Sequence, residues 1–392
     1  MNKERWLLPE GIEEVLPPQA EVLEQKRRAL LDLYASWGYE LVIPPFIEYL
    51  ESLLTGTGDD LDLQTFKLTD QLNGRMMGVR ADMTPQVARI DAHLLRRDTP
   101  TRLCYMGTVL HTRPEGFAAS RAPLQIGLEL YGHAGIESDV EVFELMVRTL
   151  NQLGIQDVYF DLGHVGIYRA LVSQAGLNAD QESQLFDALQ RKARPEIKQM
   201  LADWKLDATL AAMFVQLTEL NGNESVLDKA RSTLAKANKS VLAAIDELAQ
   251  IAAAIKQRLP DIALHYDLAE LRGYHYHTGV VFAGFVPGKG QAIAQGGRYD
   301  GIGKVFGNAR PATGFSTDLK TLLALNPPSV VQSKGVFAPY GNESDLLEAI
   351  EKLRTSGERV VIALPQQQGD AAAMQCDRQL VRQGKDWIVK KI

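Results

Sequence analysis

Two cysteines in 392 residues, Cys104 and Cys376, are too few for a disulfide-stapled scaffold or a zinc site. No long hydrophobic run is present either. The most apolar stretch, Val241 to Ile255, is interrupted by Asp246, Glu247 and Gln250, so no segment reads as bilayer-spanning. Trp6-Leu7-Leu8, closed by Pro9, is too short for the apolar core of a signal peptide, and the expected compartment is the cytoplasm. Positive charge is not in excess: 42 Lys and Arg stand against 49 Asp and Glu, a net charge of −7. That balance speaks against affinity carried mainly by a polyanion's phosphates. Also missing are a Walker loop, a dinucleotide fingerprint, a Gly-x-Ser-x-Gly elbow, internal repeats and low-complexity tracts. What remains is 45% hydrophobic and 23% charged, which excludes a disordered chain and leaves room for two or three domains.

Periodicity predicts a helix over Ala20 to Trp37, stopped by Gly38, then a short β-prone run from Tyr39 to Ile43. Arg102 to Leu110 and Pro123 to Gly132 read as strands flanking a loop, with another strand at Val158 to Leu162. Residues 167–259 are rich in Ala, Leu, Gln, Lys and Glu at helical spacing, which predicts an insert of three or four helices. Asn178 to Gln181 fits a capping box within it. Strand signals return at His265 to Leu268, Val280 to Phe285 and Gln291 to Ala294. Asn326-Pro327-Pro328-Ser329 reads as a linker. Beyond it come a strand (Val336 to Ala338), a helix (Glu343 to Ser356), a strand (Arg359 to Leu364), a helix (Ala371 to Gln383) and a strand (Trp387 to Val389). This last segment is formally neutral.

Four runs could carry chemistry. In Val79-Arg80-Ala81-Asp82-Met83-Thr84-Pro85 an acid and a hydroxyl precede a helix over Gln86 to Leu95, where Thr84 can also be read as a plain N-cap. Leu124 to Leu130 puts Gln125, Gly127 and Glu129 on one strand face, either solvated or the floor of a polar pocket. Within Leu271 to Gly279, alternation sends Tyr274, Tyr276 and Thr278 one way and His275 and His277 the other. No third metal ligand lies nearby, so no metal is expected. Gln295 to Gly301 is glycine-rich, which permits close backbone approach to a ligand, with Arg298 and Tyr299 available to line a pocket.

In this order the runs resemble the catalytic core of histidyl-tRNA synthetase, a class II synthetase, over roughly Leu8 to Leu322. Leu8-Pro9-Glu10-Gly11, Trp37 to Glu40 with Pro44 and Glu48, and Arg80 to Thr84 are similar to the family's first third. Arg102 to Gly132 is similar to motif 2 and the strand after it. Leu271 to Phe282 and Gly296 to Gly301 are similar to the two histidine-specific motifs, and Gly314 to Leu322 stands where motif 3 belongs. The resemblance implies an α+β fold: a class II antiparallel-sheet core over residues 1–325, the helical insert at about 167–259, and a small C-terminal α/β domain over 330–392.

The departures from that family matter more. Its two ATP-binding arginines fall on His111 and Thr321, the acid after the first becomes Arg113, and the glutamate before the second becomes Lys320. Losing one preorganised transition-state donor costs about 10²–10³ in rate, so two losses leave little synthetase. The alternative is a histidine–tRNA ligase with a degenerate ATP site. A synthetase-like core without its ATP arginines resembles the regulatory subunits of ATP phosphoribosyltransferase, whose motif variants are similar to Leu110 to Phe117, Pro123 to Gly127 and Arg272 to Gly279. This second resemblance implies a chain with no catalytic residues and no cofactor, pairing with itself and with a short catalytic transferase in a hetero-octamer of four copies each. It implies activation of that transferase and feedback by L-histidine at the first step of histidine biosynthesis, without tRNA or membrane binding. Carried over position by position, the histidine-binding set is Asp82, Thr84, His111, Gln125, Glu129, Arg272, Tyr276, His277 and Tyr299. Two of these depart from the family: Asp82 is one methylene shorter than its glutamate, and His277 replaces a ring-contacting tyrosine.

Overall fold

The computed structural model describes residues 6–55, 59–114, 120–274, 276–304, 306–307, 309–327 and 334–392. The chain divides into two compact units: residues 1–15 with 23–327, and residues 16–22 with 328–392. His275, Glu115 to Phe117 and the Pro328-Ser329 part of the expected linker lie outside the described residues.

The larger unit is built on a nine-stranded sheet. Across it the strands run Glu40–Leu41, Thr101–Thr108, Leu124–Tyr131, Ala312–Asp318, Ala294–Arg298, Val280–Phe285, Tyr159–His164, Leu264–Asp267 and Asn221–Gly222. Pairing is antiparallel except for the Glu40–Leu41/Thr101–Thr108 and Tyr159–His164/Leu264–Asp267 pairs. Alternation separates the two faces, because successive side chains of a strand point to opposite sides. Ile126, Leu128 and Leu130 enter the large core with Cys104, Phe143, Leu162 and Phe315. Leu103, Tyr105 and Tyr131 enter a second core on the other side, with Met83, Val87, Tyr299 and Phe306. The helices Gln19–Ser36, Ile136–Gln152 and Lys239–Arg258 contribute Leu30, Tyr34, Phe143, Leu145, Ile245 and Leu248 to the first core. A separate three-stranded sheet of Ile47–Tyr49, Met76–Val79 and Phe66–Thr69 leads into the Asp82 segment.

Several expectations need correction. Among the described residues the insert holds six helices: Val165–Ala175, Ala179–Gln190, Arg194–Asp203, Ala208–Leu217, Ser225–Thr233 and Lys239–Arg258. Short turns at Lys192 and Lys205, both at positive φ, divide what reads in sequence as longer helices. The capping box at Asn178 is present. The strand expected at Gln291 to Ala294 is instead Ala294–Arg298, carried through the glycine-rich run by pairing on both sides. The edge run expected from Tyr39 to Ile43 contracts to Glu40–Leu41. Beyond Gln86 the helix continues only to Arg89 before a wider π-type turn over Ile90–Leu95.

The smaller unit pairs Val360–Ile362, Gly335–Ala338, Cys376–Gln383 and Asp386–Lys391 in that order, with the helix Ser344–Thr355. Its core is Val336, Ala338, Leu346, Ile350 and Leu380. The helix expected over Ala371 to Gln383 is a strand from Cys376 onward. Gln375 at φ +57° ends the alanine-rich turn, and Gly384 at φ +65° starts a two-residue hairpin between the paired Gln383 and Asp386.

A polar cavity on the sheet and its family

The cavity is floored where side chains are missing. Glu129 faces Gly314 across the sheet, and Tyr105 faces Gly127. A Cβ on Gly314 would come within 1.6 Å of the Glu129 carboxylate, and one on Gly127 within 2.5 Å of the Tyr105 hydroxyl. Glycine is therefore required at both positions to seat those two groups. Tyr105 donates to Glu129 Oε1 at 2.8 Å, and Tyr299 donates to Oε2. Glu129 is 1% exposed, and burial pushes its carboxyl up to about 8 against the help of both phenols.

The wall is aromatic. Tyr276 stacks on Tyr299 with ring centres 4.8 Å apart, and His277 stands edge-on to both. These three share one wall, so the expected division of Tyr276 and His277 between opposite faces is wrong. Arg272 to Tyr274 and Tyr276 lie in turns rather than a strand: Tyr276 and His277 both donate their N–H to the Gly273 carbonyl. Tight turns override alternation when the chain has no neighbour to pair with. Burial holds His277 down at about 4.

The rim is charged. Asp82 Oδ1 accepts from Gln125 Nε2 at 2.6 Å and from the Thr84 N–H at 3.0 Å, while the Met83 N–H donates to Gln125 Oε1. Met83 holds the N-cap position with no side-chain cap bond, and Asp82, one residue earlier, accepts the N–H of the first helical residue. The Thr84 hydroxyl bonds Tyr105 instead, at 3.0 Å, which corrects the plain-cap reading. Arg272 pairs with Glu270 at 3.0 Å and lies 4.9 Å from the Phe285 ring centre.

Seven of the nine expected histidine-site residues line one cavity of about 270 Å³: Asp82, Thr84, Glu129, Arg272, Tyr276, His277 and Tyr299. A neighbouring cavity of about 560 Å³ shares Asp82 and Arg272 and is lined by the other two, His111 and Gln125. Thr321 and Asp318 also line it. His111 Nε2 sits 2.9 Å from the Ala81 carbonyl, and the Thr321 hydroxyl donates to Asp318 at 2.6 Å. Lys320 turns away and donates to the Ala122 carbonyl. Sequence reasoning missed Tyr105 and Glu270. Tyr105 was findable from its place opposite Gly127 once the two strands were paired.

A sequence profile described as histidyl-tRNA synthetase matches residues 11–322, and one for the C-terminal domain of the ATP phosphoribosyltransferase subunit HisZ matches 333–390. The chain is 63% identical to an ATP phosphoribosyltransferase regulatory subunit from Thioalkalivibrio sulfidiphilus, covering 99% of both chains. It is 58% identical to one from Alkalilimnicola ehrlichii, covering 99% of this chain and 98% of the other. The chain belongs to the family of ATP phosphoribosyltransferase regulatory subunits. Among solved structures, a regulatory subunit/histidyl-tRNA synthetase from Bacillus halodurans superposes with a TM-score of 0.82 at 26% identity, covering 94% of this chain and 95% of that one. Histidyl-tRNA synthetase from Nostoc shares the fold at a TM-score of 0.77 and 18% identity, covering 96% and 91%. The fold is thus the α+β, class II synthetase-like one that the motifs implied. No described helix is long and apolar enough to cross a membrane.

Proposed function

We propose that this chain is a non-catalytic regulatory subunit that binds free L-histidine in the smaller cavity and transmits its presence to a partner transferase. The observation that carries the reading is the convergence of an acid, a cation, a buried carboxyl and an aromatic wall on one cavity, beside a second that lacks a phosphate-binding pair. Asp82 suits the ligand's ammonium, with Oδ1 already committed and Oδ2 unpartnered among the described residues. Arg272, held by Glu270 at the rim, suits the carboxylate. Glu129, Tyr276, His277 and Tyr299 suit the ring. His111 and Thr321 cannot replace two guanidinium groups on a triphosphate, so adenylate formation is not part of this function.

The resemblance supplies the remainder: self-pairing, assembly with the short catalytic chain in the cytoplasm as four copies of each, activation of that chain, and inhibition by histidine. Activation of this kind is a differential affinity for two states of the partner. The small unit has equal numbers of acidic and basic residues over 335–392, so it brings RNA no net positive charge. Calorimetry on the purified chain tests the site. Histidine is expected to bind, and Arg272→Ala and Asp82→Ala each to weaken it by about 1.5–3 kcal/mol, the worth of a charged hydrogen bond. Transferase inhibition in the mixed complex should weaken in parallel. Inhibition unchanged in both variants would move the sensing site elsewhere, and histidine-dependent exchange of pyrophosphate into ATP would restore the ligase reading.

A further inference from the structure

The turn that carries Arg272, Tyr276 and His277 into the smaller cavity has one aromatic residue that faces the other way. Tyr274 is 4% exposed and belongs to the large core, whereas Tyr276, two positions on, packs against the second core. Tyr274 is not among the residues that line the cavity. Two helices of the insert hold it. From Val165–Ala175, Arg169 Nη2 donates to the Tyr274 carbonyl at 2.6 Å and the Arg169 guanidinium lies 4.9 Å from the ring centre. The Tyr168 ring, on the same helix, stands edge-on to Tyr274 at 5.1 Å. From Ala179–Gln190, the Phe186 ring lies 5.4 Å away, and Glu182 Oε1 accepts the Tyr274 hydroxyl.

The acceptor is itself held. Glu182 lies in the first turn of its helix, behind the capping box at Asn178, and its own carbonyl accepts the Tyr168 hydroxyl at 2.8 Å. Both ends of the cavity turn are fixed in the body of the unit: Leu271 is fully buried, and the Thr278 N–H donates to the Arg298 carbonyl at 2.7 Å. Between those ends, the N–H groups of Tyr276 and His277 share the Gly273 carbonyl, with Gly273 at φ +62°. These bonds close the turn on itself and anchor it to no neighbour. On the cavity side it is held by ring contacts, Tyr276 stacked on Tyr299. On the far side it is held by the hydrogen bonds that Tyr274 makes to the insert.

We infer that Tyr274 is a positioning residue for this cavity: its hydroxyl, tied to Glu182, sets the place of the turn, so that the helical insert forms part of the frame of the site. The effect on affinity rests on the proposed histidine site, whereas the tether itself does not. A binding constellation has to be held within about 0.5 Å of its productive geometry by groups beyond those that touch the ligand. Arg272, Tyr276 and His277 line the cavity and flank Tyr274 in the chain, so a shift of Tyr274 moves all three. Coupling between sites is reciprocal, so histidine that orders the turn also steadies the two insert helices.

The test uses Tyr274→Phe, which keeps the ring and removes only the hydroxyl, and Glu182→Ala, which removes the acceptor. Hydrogen exchange on the ligand-free full chain reads the tether. In both variants the Tyr276 and His277 amides should exchange about 10-fold faster or more, the worth of a hydrogen bond to a charged group, while the helix Ile136–Gln152 keeps its wild-type rate. Calorimetry with L-histidine reads the site: each variant should bind about 2- to 30-fold more weakly. The double variant should bind no more weakly than the weaker single one, because both act through one bond. Glu182→Gln, which keeps an oxygen acceptor, should retain more affinity than Glu182→Ala. Histidine should also slow exchange in Val165–Ala175 and Ala179–Gln190 of the wild type but not of Tyr274→Phe, a difference that a merely structural role would not produce. Melting curves check folding, and Glu182→Ala, at a half-buried position, carries the test if Tyr274→Phe does not fold. Turn exchange at the wild-type rate in the variants, or single losses that add in the double variant, overturns the inference. A wild type that binds no histidine, with the exchange difference intact, keeps the tether and overturns the histidine site.

Discussion

Glu129 and His277 are buried neutral groups that face one cavity, and they pull the pH dependence of stability in opposite directions. The Glu129 carboxyl moves from its ordinary 4.5 to about 8, so between those values the unfolded chain is ionised there and the folded chain keeps its proton. Its contribution to stability is complete below about pH 4.5 and is lost as pH rises towards 8. His277 moves from 6.5 to about 4, so its contribution is complete above pH 6.5 and is lost as pH falls towards 4. From pH 4.5 to 6.5 the two slopes oppose each other, and from 6.5 to 8 the Glu129 term acts without that opposition. Glu129→Gln keeps an acceptor for one of the two phenols, offers the other an amide N–H, and removes the ionisation. Relative to wild type, this variant should gain stability at up to about 1.4 kcal/mol per pH unit between pH 6.5 and 8. Denaturant titrations of the ligand-free chain at pH 6.5, 7.25 and 8 read the difference. A wild-type-minus-variant difference flat across that window would mean that Glu129 is already ionised in the folded chain.

At the scale of elements, one ion pair ties the cavity wall to the helical layer behind the sheet. Asp139, in the first turn of the helix Ile136–Gln152, and Arg298, at the end of the strand Ala294–Arg298, are 1% and 4% exposed. Removing Asp139 leaves the buried Arg298 with Asp300 as its counter-charge, at 3.4 Å and half-exposed, so the cost falls at or below the about 3–5 kcal/mol of a broken buried pair. Asp139→Asn should lower the denaturant midpoint accordingly and weaken histidine binding, because the Arg298 carbonyl and Tyr299 lose their anchor. Adding Arg298→Met should recover part of the stability, since no charge is then stranded. No recovery in the double variant would argue that the pair acts through packing alone. Elements of this kind were only partly legible in the sequence. Alternation placed Gln125, Gly127 and Glu129 together because a paired strand enforces a period of two. The same rule failed at Tyr276 and His277, where a turn around Gly273 sets the directions. The helix reading failed at Cys376 to Gln383, where helix-prone residues are held extended by partners on both sides. Asp139 could not be matched to Arg298 from sequence, because 159 positions separate them and no local pattern links them.

For the whole chain, the proposed sensing site belongs to one unit, and the cores of the two units are distinct. Every residue lining the smaller cavity lies between Asp82 and Ser316, inside the larger unit. The smaller unit has its own core of Val336, Ala338, Leu346, Ile350 and Leu380, in a sheet that shares no strand with the larger one. Leu346 is 1% exposed in the helix Ser344–Thr355, so Leu346→Ala removes buried methyl groups and leaves a cavity, a change that costs about 2–5 kcal/mol. If the units are energetically separable, that loss should appear as a shift in one calorimetric unfolding transition only. The histidine affinity of the isolated chain should stay within a factor of about two of wild type, since the cavity is lined by residues of the larger unit and shares none with the small core. A variant that lost histidine binding along with its small unit would show that the cavity is not self-sufficient. Binding retained while histidine inhibition of the mixed transferase complex fails would assign the smaller unit to transmission rather than sensing.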